Sequence, residues 1–510
     1  MRKNKFIHVV STFKPLFSLQ PLHLVLLPIF FILTTYSRYS GLLYLSEFLL
    51  PFIKITVLAF VYFFLLYMFL KNKAKAGVLA TLFILIFLFF GELKIWLQNL
   101  PLVGIIGSYR FLLPLLLLLY TFIFLRIIKS KSLVILTTFL NTLFSFFIII
   151  EIWKISAQQS IKPVSPQIAI DNKVTNTLRN LPDIYYIVPD CYPSSTFQKE
   201  ALGSSFNFLD SALFERNFYV LNNSTSNFHF TSFSMAATLN MQYFNWTKKN
   251  TPTIPADYSG SVDLIKNAAI PKSLKSLGYK IYNLSVFEIA HQSPIGKARL
   301  ISKTADQIIF YNTLWMALKW QVIPSIFPSY VKKLESINMR NNRSLRNNFK
   351  RYNQTIIDSL KSSHFTPVLN SPKFIYAHLE MPHYPYYFDS TGNPYSDEEV
   401  FKANSSLDKN KFKGYIAYTN KIILTIIDSL LYNSNNKSVI IIQSDHGTGN
   451  FRSENSKDAF SNYSAFYFPD LKYEALYDSM SNVNTFRIIL NKYFGQRLRM
   501  LKDTSIYLKH

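Results

Sequence analysis

Two scarcities in the sequence exclude whole classes of protein. A single cysteine, Cys191, occurs among the 510 residues, so no intrachain disulfide can form and the disulfide-rich class of small secreted domains is excluded. Acidic residues are almost absent from the first 154 positions, where only Glu47, Glu92 and Glu151 occur. Any water-soluble domain must therefore follow that region and be stabilised by its hydrophobic core, for which the remaining ~350 residues are ample.

What the first part contains instead is five long apolar runs, each close to the ~20 residues that cross a bilayer as a helix. The first run is the weakest, because it includes His23 and Pro28. A large buried core is the alternative, but five such runs with so few acidic residues favour a membrane domain over residues 1–154. The runs lie at about 20–36, 50–70, 76–93, 111–128 and 132–153.

The basic residues near the span ends predict the orientation, because Lys and Arg stay on the cytoplasmic side. One side has ten of them: Arg2, Lys3, Lys5, Lys14, Lys71, Lys73, Lys75, Arg126, Lys129 and Lys131. The other side has four: Arg38, Lys94, Arg110 and Lys154. We therefore predict a multi-pass protein of the cell (inner) membrane with a cytoplasmic N-terminus. The odd number of spans then places the rest of the chain on the outer face. A cleaved signal peptide is the alternative for the first run, but no small-residue cleavage pattern follows it.

After the spans the composition changes to that of a soluble domain. Residues 155–181 carry Gln, Ser and Pro and are predicted to be a linker. From 182 to 510, strand-like runs alternate with helical or loop-rich stretches, which predicts an α/β domain with a mostly parallel sheet. The basic stretch Lys332–Asn353 is typical of a solvated helix. The predicted strands are 184–188, 279–286, 374–380, 438–443 and 464–468.

Polar residues that could form one metal site lie in four short segments of this domain. Asp190, His383 and the pair Asp445 and His446 each follow a strand-like run. The carboxyl ends of strands in an open α/β sheet are where ligands collect, so these side chains could converge. Asp and His are ligands for zinc or manganese, and a hydroxyl beside such a metal can lose its proton near neutral pH. Thr231 is the candidate for that hydroxyl.

Each of these residues also has a plainer interpretation. Thr231 could cap the helix predicted from Ser232 to Tyr243. Asp445 and His446 could form an exposed turn, and His383 could be a surface histidine with ordinary partners. A cap and a nucleophile are compatible, however, because a helix N-terminus stabilises both an alkoxide and a phosphate.

Four motifs, taken in order, resemble the sulfatase-like branch of the alkaline phosphatase superfamily. Closest in layout are its membrane-anchored members, the lipoteichoic acid synthases and the lipid A phosphoethanolamine transferases, which also place several spans before an outer catalytic domain. The resemblance covers about residues 180–500 and implies an alkaline phosphatase/sulfatase-like fold. The motifs are Pro182-Asp-Ile-Tyr-Tyr-Ile-Val-Pro-Asp190, Ser226-Asn-Phe-His-Phe-Thr-Ser-Phe-Ser-Met-Ala-Ala-Thr-Leu-Asn-Met241, His378-Leu-Glu-Met-Pro-His383 and Gln443-Ser-Asp-His-Gly447.

The resemblance implies a role for each matching position. The metal ligands of the family fall on Asp190, Thr231, Asp445 and His446, and its threonine nucleophile also falls on Thr231. A histidine that contacts the phosphate or a second metal matches His383. Three further residues are weaker candidates for substrate contacts: His378, Asn227 and Arg452.

Two departures from the family pattern limit what is carried over. Many relatives have Asp-Gly-Tyr where this chain has Asp190-Cys-Tyr192. Transferases with a second zinc use a histidine where this chain has Asp458, so one metal is expected and a second is not. Cys191-Tyr-Pro-Ser194 also imitates the start of the Cys-x-Pro-Ser-Arg signature of true sulfatases, whose cysteine becomes formylglycine. The next residue here is Ser195 rather than Arg, so we interpret Cys191 as a small buried thiol.

The sequence thus predicts a metal-dependent enzyme that moves a phospho-substituent, such as phosphoethanolamine or glycerol phosphate, through a covalent threonine intermediate. The donor is predicted to be a membrane lipid and the acceptor an envelope lipid or glycan. Residues 155–510 contain 39 Lys and Arg against 26 Asp and Glu, a balance that suits anionic headgroups better than nucleic acid in a membrane-tethered domain. A phosphodiester or sulfate ester hydrolase of the same fold, and a non-catalytic membrane protein with a degenerate hydrolase domain, remain as alternatives.

Overall fold

The structure is a computed structural model. It describes residues 20–40, 43–100, 104–160, 181–203, 208–244, 252–296, 304–362, 371–402, 404–448 and 457–509. Most of the predicted linker, and Arg452, lie outside these residues. The chain divides into two compact units, one of Met1–Lys162 with Ile301–Leu334 and one of Pro163–Leu300 with Glu335–His510.

Helices occupy all five positions where the sequence has long apolar runs. Four of them are long and apolar enough to cross a membrane, namely Leu45–Leu70, Lys73–Gln98, Tyr109–Lys129 and Val134–Ala157 among the residues that the structure describes. The helix at the first run has 17 residues and contains Pro28, so this weakest of the five predicted spans is not among the four. In chain order the helices of this region are α1 His23–Tyr39, α2 Leu49–Leu70, α3 Lys73–Gln98, α4 Tyr109–Lys129 and α5 Val134–Ser160.

The later helices are short, apart from two. In chain order they are α6 Ser195–Leu202, α7 Phe208–Phe214, α8 Thr231–Asn240, α9 Pro255–Lys266, α10 Ala269–Ser276, α11 Ala305–Tyr311, α12 Leu314–Ala317, α13 Ile323–Ile326, α14 Ser329–Lys361, α15 Asp397–Val400, α16 Lys409–Asn433 and α17 Asn482–Phe494. Of these, α11 to α13 belong to the first unit.

The second unit is built on a six-stranded sheet that is mostly parallel, as the sequence predicted, with one strand more than the five expected. Strands β1, β3, β4 and β5 run parallel, whereas β6 is antiparallel to both β5 and β2. The strands are β1 Ile184–Pro189, β2 Tyr219–Leu221, β3 Lys280–Leu284, β4 Lys373–Leu379, β5 Val439–Gln443 and β6 Ser464–Tyr467, in the spatial order β2-β6-β5-β1-β4-β3.

Both faces of this sheet are covered by helices, which explains why its central strands are apolar throughout. Every residue of β1 and β5 is buried. Tyr185 and Ile187 point to a core formed with α6, α7, α14 and α16. Ile184, Tyr186 and Val188 point to the opposite core, formed with α8, α9, α10 and α17. The sheet is thus the middle of three layers, and polar residues of the strands reach solvent only at their ends.

The basic helix α14 is not solvated on all sides. Its second half buries Ile356 and Leu360 in the first of these cores, and the Tyr352 hydroxyl donates a 2.7 Å hydrogen bond to the His378 carbonyl. Asn353 accepts a 2.9 Å hydrogen bond from the backbone N–H of Glu380. The helix therefore fixes the carboxyl end of β4, next to the end of β1.

Candidate metal centre and nucleophile

Two candidate ligands are brought together by the register of the central strands. Ile187 of β1 pairs with Ile442 of β5. Asp190 lies three residues after Ile187, and Asp445 lies three residues after Ile442. Because the strands are parallel neighbours, equal offsets from a paired position place the two carboxylates side by side at the same edge of the sheet. His446 follows directly and completes the group.

The side chains of Asp190, Asp445 and His446 form a tight buried cluster. Each offers one ligand atom, and these atoms all lie within 4.8 Å of one another. His446 Nε2 is 3.3 Å from Asp445 Oδ2 and 3.9 Å from Asp190 Oδ1. Asp445 is completely buried and the other two are 9% exposed. Distances of this size suit three ligands around one cation better than a conventional ion pair.

The hydrogen bonds around the cluster leave its inner atoms facing one another. His446 Nδ1 lies 2.7 Å from the Gly447 carbonyl and must donate to it, so in the neutral ring Nε2 presents a lone pair. Asp190 Oδ1 and Asp445 Oδ2 are buried and accept no hydrogen bond from any residue that the structure describes. Two carboxylate oxygens and an imidazole lone pair repel one another unless a cation lies between them. The donor set therefore fits a divalent metal, with the Gly447 carbonyl fixing the imidazole as second-shell partners do.

The pKa values of the two carboxyls diverge, as expected for like charges held together. Burial raises the pKa of Asp190 well above its usual value, and the nearby charge of Asp445 raises it further. Burial also opposes the ionisation of Asp445, but the neighbouring imidazoles of His446 and His378, the Cys191 N–H and the Thr231 hydroxyl lower its pKa overall. Without a cation only Asp445 of the pair ionises readily, whereas a bound metal would keep both carboxyls ionised.

Gly447 allows the loop that carries the ligands to pack against the following turn. A Cβ on this residue would lie 2.4 Å from the carbonyl oxygens of both Asp458 and Ser461, which is closer than any real contact. The Gly447 N–H also donates a 3.0 Å hydrogen bond to the Ala459 carbonyl. The glycine of the Ser-Asp-His-Gly motif is thus required by close backbone approach.

Thr231 lies beside the same cluster with its hydroxyl pointing in. It is the first residue of α8, and the N-cap position is held by Phe230, so the Thr231 hydroxyl is not the helix cap that the plainer interpretation proposed. Thr231 Oγ1 lies 3.3 Å from His446 Nε2. The hydroxyl of Ser234, one turn on, donates to the Asp445 carbonyl and so ties the helix to the ligand loop. The hydroxyl thus lies at a helix N-terminus, where an anion is stabilised.

The two other candidate histidines differ in their surroundings. His378 lies within β4, opposite Val188 of β1, and its Nδ1 is 2.8 Å from the Tyr376 hydroxyl. Burial lowers the pKa of His378 to about 4, so the ring is neutral at pH 7. His383 lies in the loop after β4 with an exposed ring, and it is within electrostatic reach of His446. Of the two, His383 is the more exposed.

Asn227 is not placed as a substrate contact. It is fully buried, and its amide nitrogen donates to the Tyr243 hydroxyl and to the Thr504 carbonyl. Its amide oxygen accepts a 2.8 Å hydrogen bond from the Val483 N–H. These contacts give Asn227 a structural role, joining the segment before α8 to the start of α17 and to the C-terminal segment. The remaining candidate for a substrate contact, Arg452, lies outside the described residues.

Sequence reasoning overlooked Glu380, which follows β4 as Asp190 follows β1. Its charge is among the causes that raise the pKa of Asp190, so a third carboxylate stands near the cluster. The signal was present, because Glu380 lies inside the motif His378-Leu-Glu-Met-Pro-His383 and directly after a predicted strand. Strand ends on either side of β1 thus contribute to the same region.

Cys191 has a backbone conformation that favours glycine. Its φ is +61°, in the left-handed region that costs most residues about 1–2 kcal/mol. The backbone N–H donates a 3.0 Å hydrogen bond to Asp445 Oδ1, and the thiol donates a 3.3 Å hydrogen bond to the Gly447 carbonyl. A glycine at this position would make the same turn without strain.

We expect Cys191→Gly to keep full activity and to change the free energy of unfolding by less than about 1 kcal/mol, because relief of the left-handed strain offsets the lost thiol contacts. Cys191→Ala keeps the strain and loses the hydrogen bond, so it should be the less stable of the two. Turnover and thermal unfolding of both variants would check this. Loss of activity in Cys191→Gly would instead indicate that the thiol, or a group formed from it, is the nucleophile.

A buried carboxylate and histidine cluster beside a helix-terminal hydroxyl, at the strand ends of a mostly parallel sheet, is an enzyme site. A model of the family described as Sulfatase matches residues 201–491, more than half of the chain. The chain belongs to the sulfatase family and is a sulfatase-like enzyme. The matched range includes Thr231, Asp445 and His446 and begins after Asp190. No curated protein sequence matches the chain.

Solved structures with a similar fold are distant in sequence. One is the C-terminal periplasmic domain of EcEptC from Escherichia coli in complex with Zn, with 11% identity over 68% of this chain and 94% of that one and a TM-score of 0.38. The corresponding domain of phosphoethanolamine transferase EptC from Campylobacter jejuni has 15% identity over 64% and 93%, with a TM-score of 0.35. The soluble domain of lipooligosaccharide phosphoethanolamine transferase A from Neisseria meningitidis has 12% identity over 64% and 89%, with a TM-score of 0.35.

Proposed function

We propose that the chain transfers a phospho-substituent, such as phosphoethanolamine or glycerol phosphate, from a membrane lipid to an envelope lipid or glycan. The observation that carries this proposal is the position of the Thr231 hydroxyl, 3.3 Å from His446 Nε2 at the start of α8. A hydroxyl at the edge of a buried ligand cluster is the arrangement of an activated nucleophile. A covalent intermediate on Thr231 would let one donor and one acceptor use the same site in turn.

Different groups of the protein would have different roles in such a transfer. Thr231 Oγ1 would form a bond to phosphorus while the bond from phosphorus to the lipid oxygen breaks, releasing diacylglycerol. The N-terminus of α8 would stabilise the negative phosphate oxygens. His383, exposed on the loop after β4, would deliver a proton to the leaving oxygen and later remove one from the entering hydroxyl. Water in place of the acceptor hydroxyl would make the same site a hydrolase.

Asp190, Asp445, His446 and Thr231 would hold one divalent metal. When bound, that cation would favour the ionised threonine hydroxyl and offset negative charge on the phosphate oxygens. Two carboxylates, one imidazole and one hydroxyl suit zinc and manganese alike. Burial of Asp445 and the hydrogen bond from the Cys191 N–H to its Oδ1 would orient that ligand before the metal arrives.

The apolar helices would keep the enzyme at the surface where the donor lipid lies. We propose that the N-terminus is cytoplasmic and that the catalytic unit lies on the outer face of the cell membrane. The excess of Lys and Arg in residues 155–510 would then attract anionic headgroups. Transfer between membrane components, rather than binding of nucleic acid, is the activity that fits this placement.

A donor labelled in its headgroup tests the proposed function. The full chain, in vesicles of total membrane lipid, is incubated with headgroup-labelled phospholipid and divalent metal. The proposal expects diacylglycerol to appear and the label to move to another lipid or glycan. Label released only as a free phosphomonoester would establish a phosphodiester hydrolase instead. Release of sulfate from an aryl sulfate, with no change to the lipid, would establish a sulfate ester hydrolase. No turnover and no bound metal would favour the non-catalytic alternative.

A further inference from the structure

The segment 304–327 contains α11, α12 and α13. Its buried residues are mostly small and its exposed residues include large apolar ones, which is the opposite of a helix on a water-exposed surface. Four residues at every fourth position are buried against the apolar helices, and three of them are small: Ala305, Ile309, Thr313 and Ala317. Small residues at a helix interface with large ones outside are typical of packing within membranes. The outward side carries the large apolar residues Tyr311, Trp315, Trp320, Ile326 and Phe327, exposed by 39–62%.

The segment is attached firmly to two of the spanning helices. The Gly91 N–H of α3 donates a 2.7 Å hydrogen bond to the Asn312 carbonyl, and Asp306 forms an ion pair with Lys54 of α2. A Cβ at Gly91 would lie 2.4 Å from the Asn312 carbonyl oxygen, so only glycine allows this approach. Asp306 and Asn312 of the segment thus bind to the helices, whereas its large aromatic residues are exposed.

The positions of Gly91 and Lys54 along their helices indicate how deep in the membrane the segment lies. Gly91 lies seven residues, or about 10 Å, before the end of α3. Lys54 lies in the second turn of α2, which is joined to α3 by a short turn at the opposite end. That opposite end carries Lys71 and Lys75, and Lys75 Nζ donates to the Ile128 carbonyl at the end of α4. The segment therefore lies at the end of the bundle with few basic residues, the non-cytoplasmic end by the positive-inside rule.

We propose that residues 304–327 form a membrane-interface element whose outward face lies in the outer leaflet, at the boundary between headgroups and acyl chains. Aromatic residues are enriched at that depth, because their rings pack against acyl chains while their polar groups reach the headgroups. Lys319 lies 5.3 Å from the ring of Trp320 and is placed to reach lipid phosphates by snorkelling. The occupant is phospholipid, because the face is continuous with helices that themselves cross the bilayer.

This inference is independent of the chemistry at Thr231. It explains why a segment between two strands of the catalytic sheet packs with the spanning helices, and why five large apolar side chains are exposed in 17 residues. In water such a patch would favour aggregation. In the outer leaflet it would hold the enzyme at the level of its lipid donor.

Collision of spin labels with dissolved oxygen and with a water-soluble nickel chelate tests the proposal. Oxygen concentrates in lipid, and the chelate stays in water. The full chain first carries Cys191→Gly, which removes its single native cysteine. Tyr311→Cys or Phe327→Cys is then added and labelled with a nitroxide. The labelled protein is placed in nanodiscs of phosphatidylethanolamine and phosphatidylglycerol. Tyr432→Cys in α16, exposed by 84%, is the matched control. We expect oxygen collisions to exceed nickel collisions several-fold at 311 and 327, with the reverse at 432.

Two results would overturn the proposal. Nickel collisions at 311 and 327 equal to those at 432 would show that the face lies in water. Low collision with both reagents, accompanied by dipolar broadening between labels, would show that a second copy of the chain covers it. Labels at exposed positions leave the buried face of the segment intact, so a folding defect would not explain either result.

Discussion

Replacing Thr231 with alanine is expected to lower turnover by about 10⁴- to 10⁶-fold, the size of effect seen when a nucleophile or its activating partner is removed. The loss would be in the chemical step, because the hydroxyl that faces His446 at 3.3 Å is gone while the lipid-binding surfaces are unchanged. The fold should survive, since Phe230 and not Thr231 holds the N-cap position of α8. Turnover of labelled donor and thermal unfolding of the full chain would measure both effects.

Two variants serve as controls for Thr231→Ala. Thr238→Ala removes the same hydroxyl from the same helix. Thr238 Oγ1 donates to the Ser234 carbonyl and interacts with the Tyr186 hydroxyl, so the variant should keep activity at a cost of about 1 kcal/mol in stability. Thr231→Ser restores a hydroxyl and should recover part of the turnover. If Thr231→Ala and Thr238→Ala lose the same modest fraction of activity, the Thr231 hydroxyl is not the nucleophile.

Metal binding should reverse the effect of Asp190→Asn on stability. In the wild type, metal at about 100 times its Kd would add about 2.7 kcal/mol to the free energy of unfolding. The variant lacks one carboxylate ligand, and its affinity should fall by more than the ~10- to 100-fold that loss of a second-shell partner costs. With metal, therefore, the wild type should unfold at the higher temperature.

With chelator, the variant should instead unfold at a higher temperature than the wild type. The metal-free wild type holds Asp190 beside Asp445 with no hydrogen-bond donor to Asp190 Oδ1 among the described residues, and burial and the charge of Asp445 raise the pKa of Asp190 well above its usual value. Folding without metal must therefore protonate Asp190 or bury a second charge, and either lowers stability at pH 7. The Asp190→Asn substitution would remove the carboxyl whose ionisation the fold opposes and leave Asp445 with its hydrogen bond from the Cys191 N–H. Thermal unfolding of both proteins with chelator, zinc or manganese measures the reversal.

Asp503→Asn is the matched control for the metal experiment. Asp503 accepts hydrogen bonds from Ser481 and Tyr477 and lies outside the ligand cluster. Its replacement should lower the unfolding temperature by a similar amount with and without metal. If Asp190→Asn also changed the unfolding temperature by the same amount with and without metal, the cluster would not be a metal site.

The sheet was predictable from the sequence because its central strands are buried on both faces. Continuous β-branched and aromatic runs predicted five strands, and the observed β1, β3, β4, β5 and β6 begin and end within two residues of those runs. The three-residue β2 was missed, because Tyr219–Leu221 is too short to show a pattern. Its pairing with β6 is a tertiary effect and leaves no trace in local sequence.

The convergence of Asp190, Asp445 and His446 was predictable from the rule that strand ends share one edge of a sheet. What the sequence could not give is the direction of individual side chains. The Thr231 hydroxyl points to His446 because α8 is tied to the ligand loop through Ser234. Asn227 lies a few residues away in the same motif, yet its amide is used within the fold.

The segment 304–327 shows a further limit of sequence interpretation. Its apolar residues are interrupted by Asp306, Asn312 and Lys319, so no run in it is long enough to indicate a membrane element. The polar residues are satisfied by partners that are distant in sequence, as in the ion pair between Lys54 and Asp306. Only the folded structure shows that its small residues form one buried line.

The central claim is that Thr231 carries the phospho-substituent between donor and acceptor. The most direct measurement is mass spectrometry of the full chain after acid quenching during turnover of membrane lipid, with the modified peptide mapped. We predict an adduct on Thr231 whose mass identifies the transferred group, and no adduct on Thr231→Ala. Steady formation of product with no adduct at Thr231, in protein shown to contain its metal, would contradict the covalent mechanism.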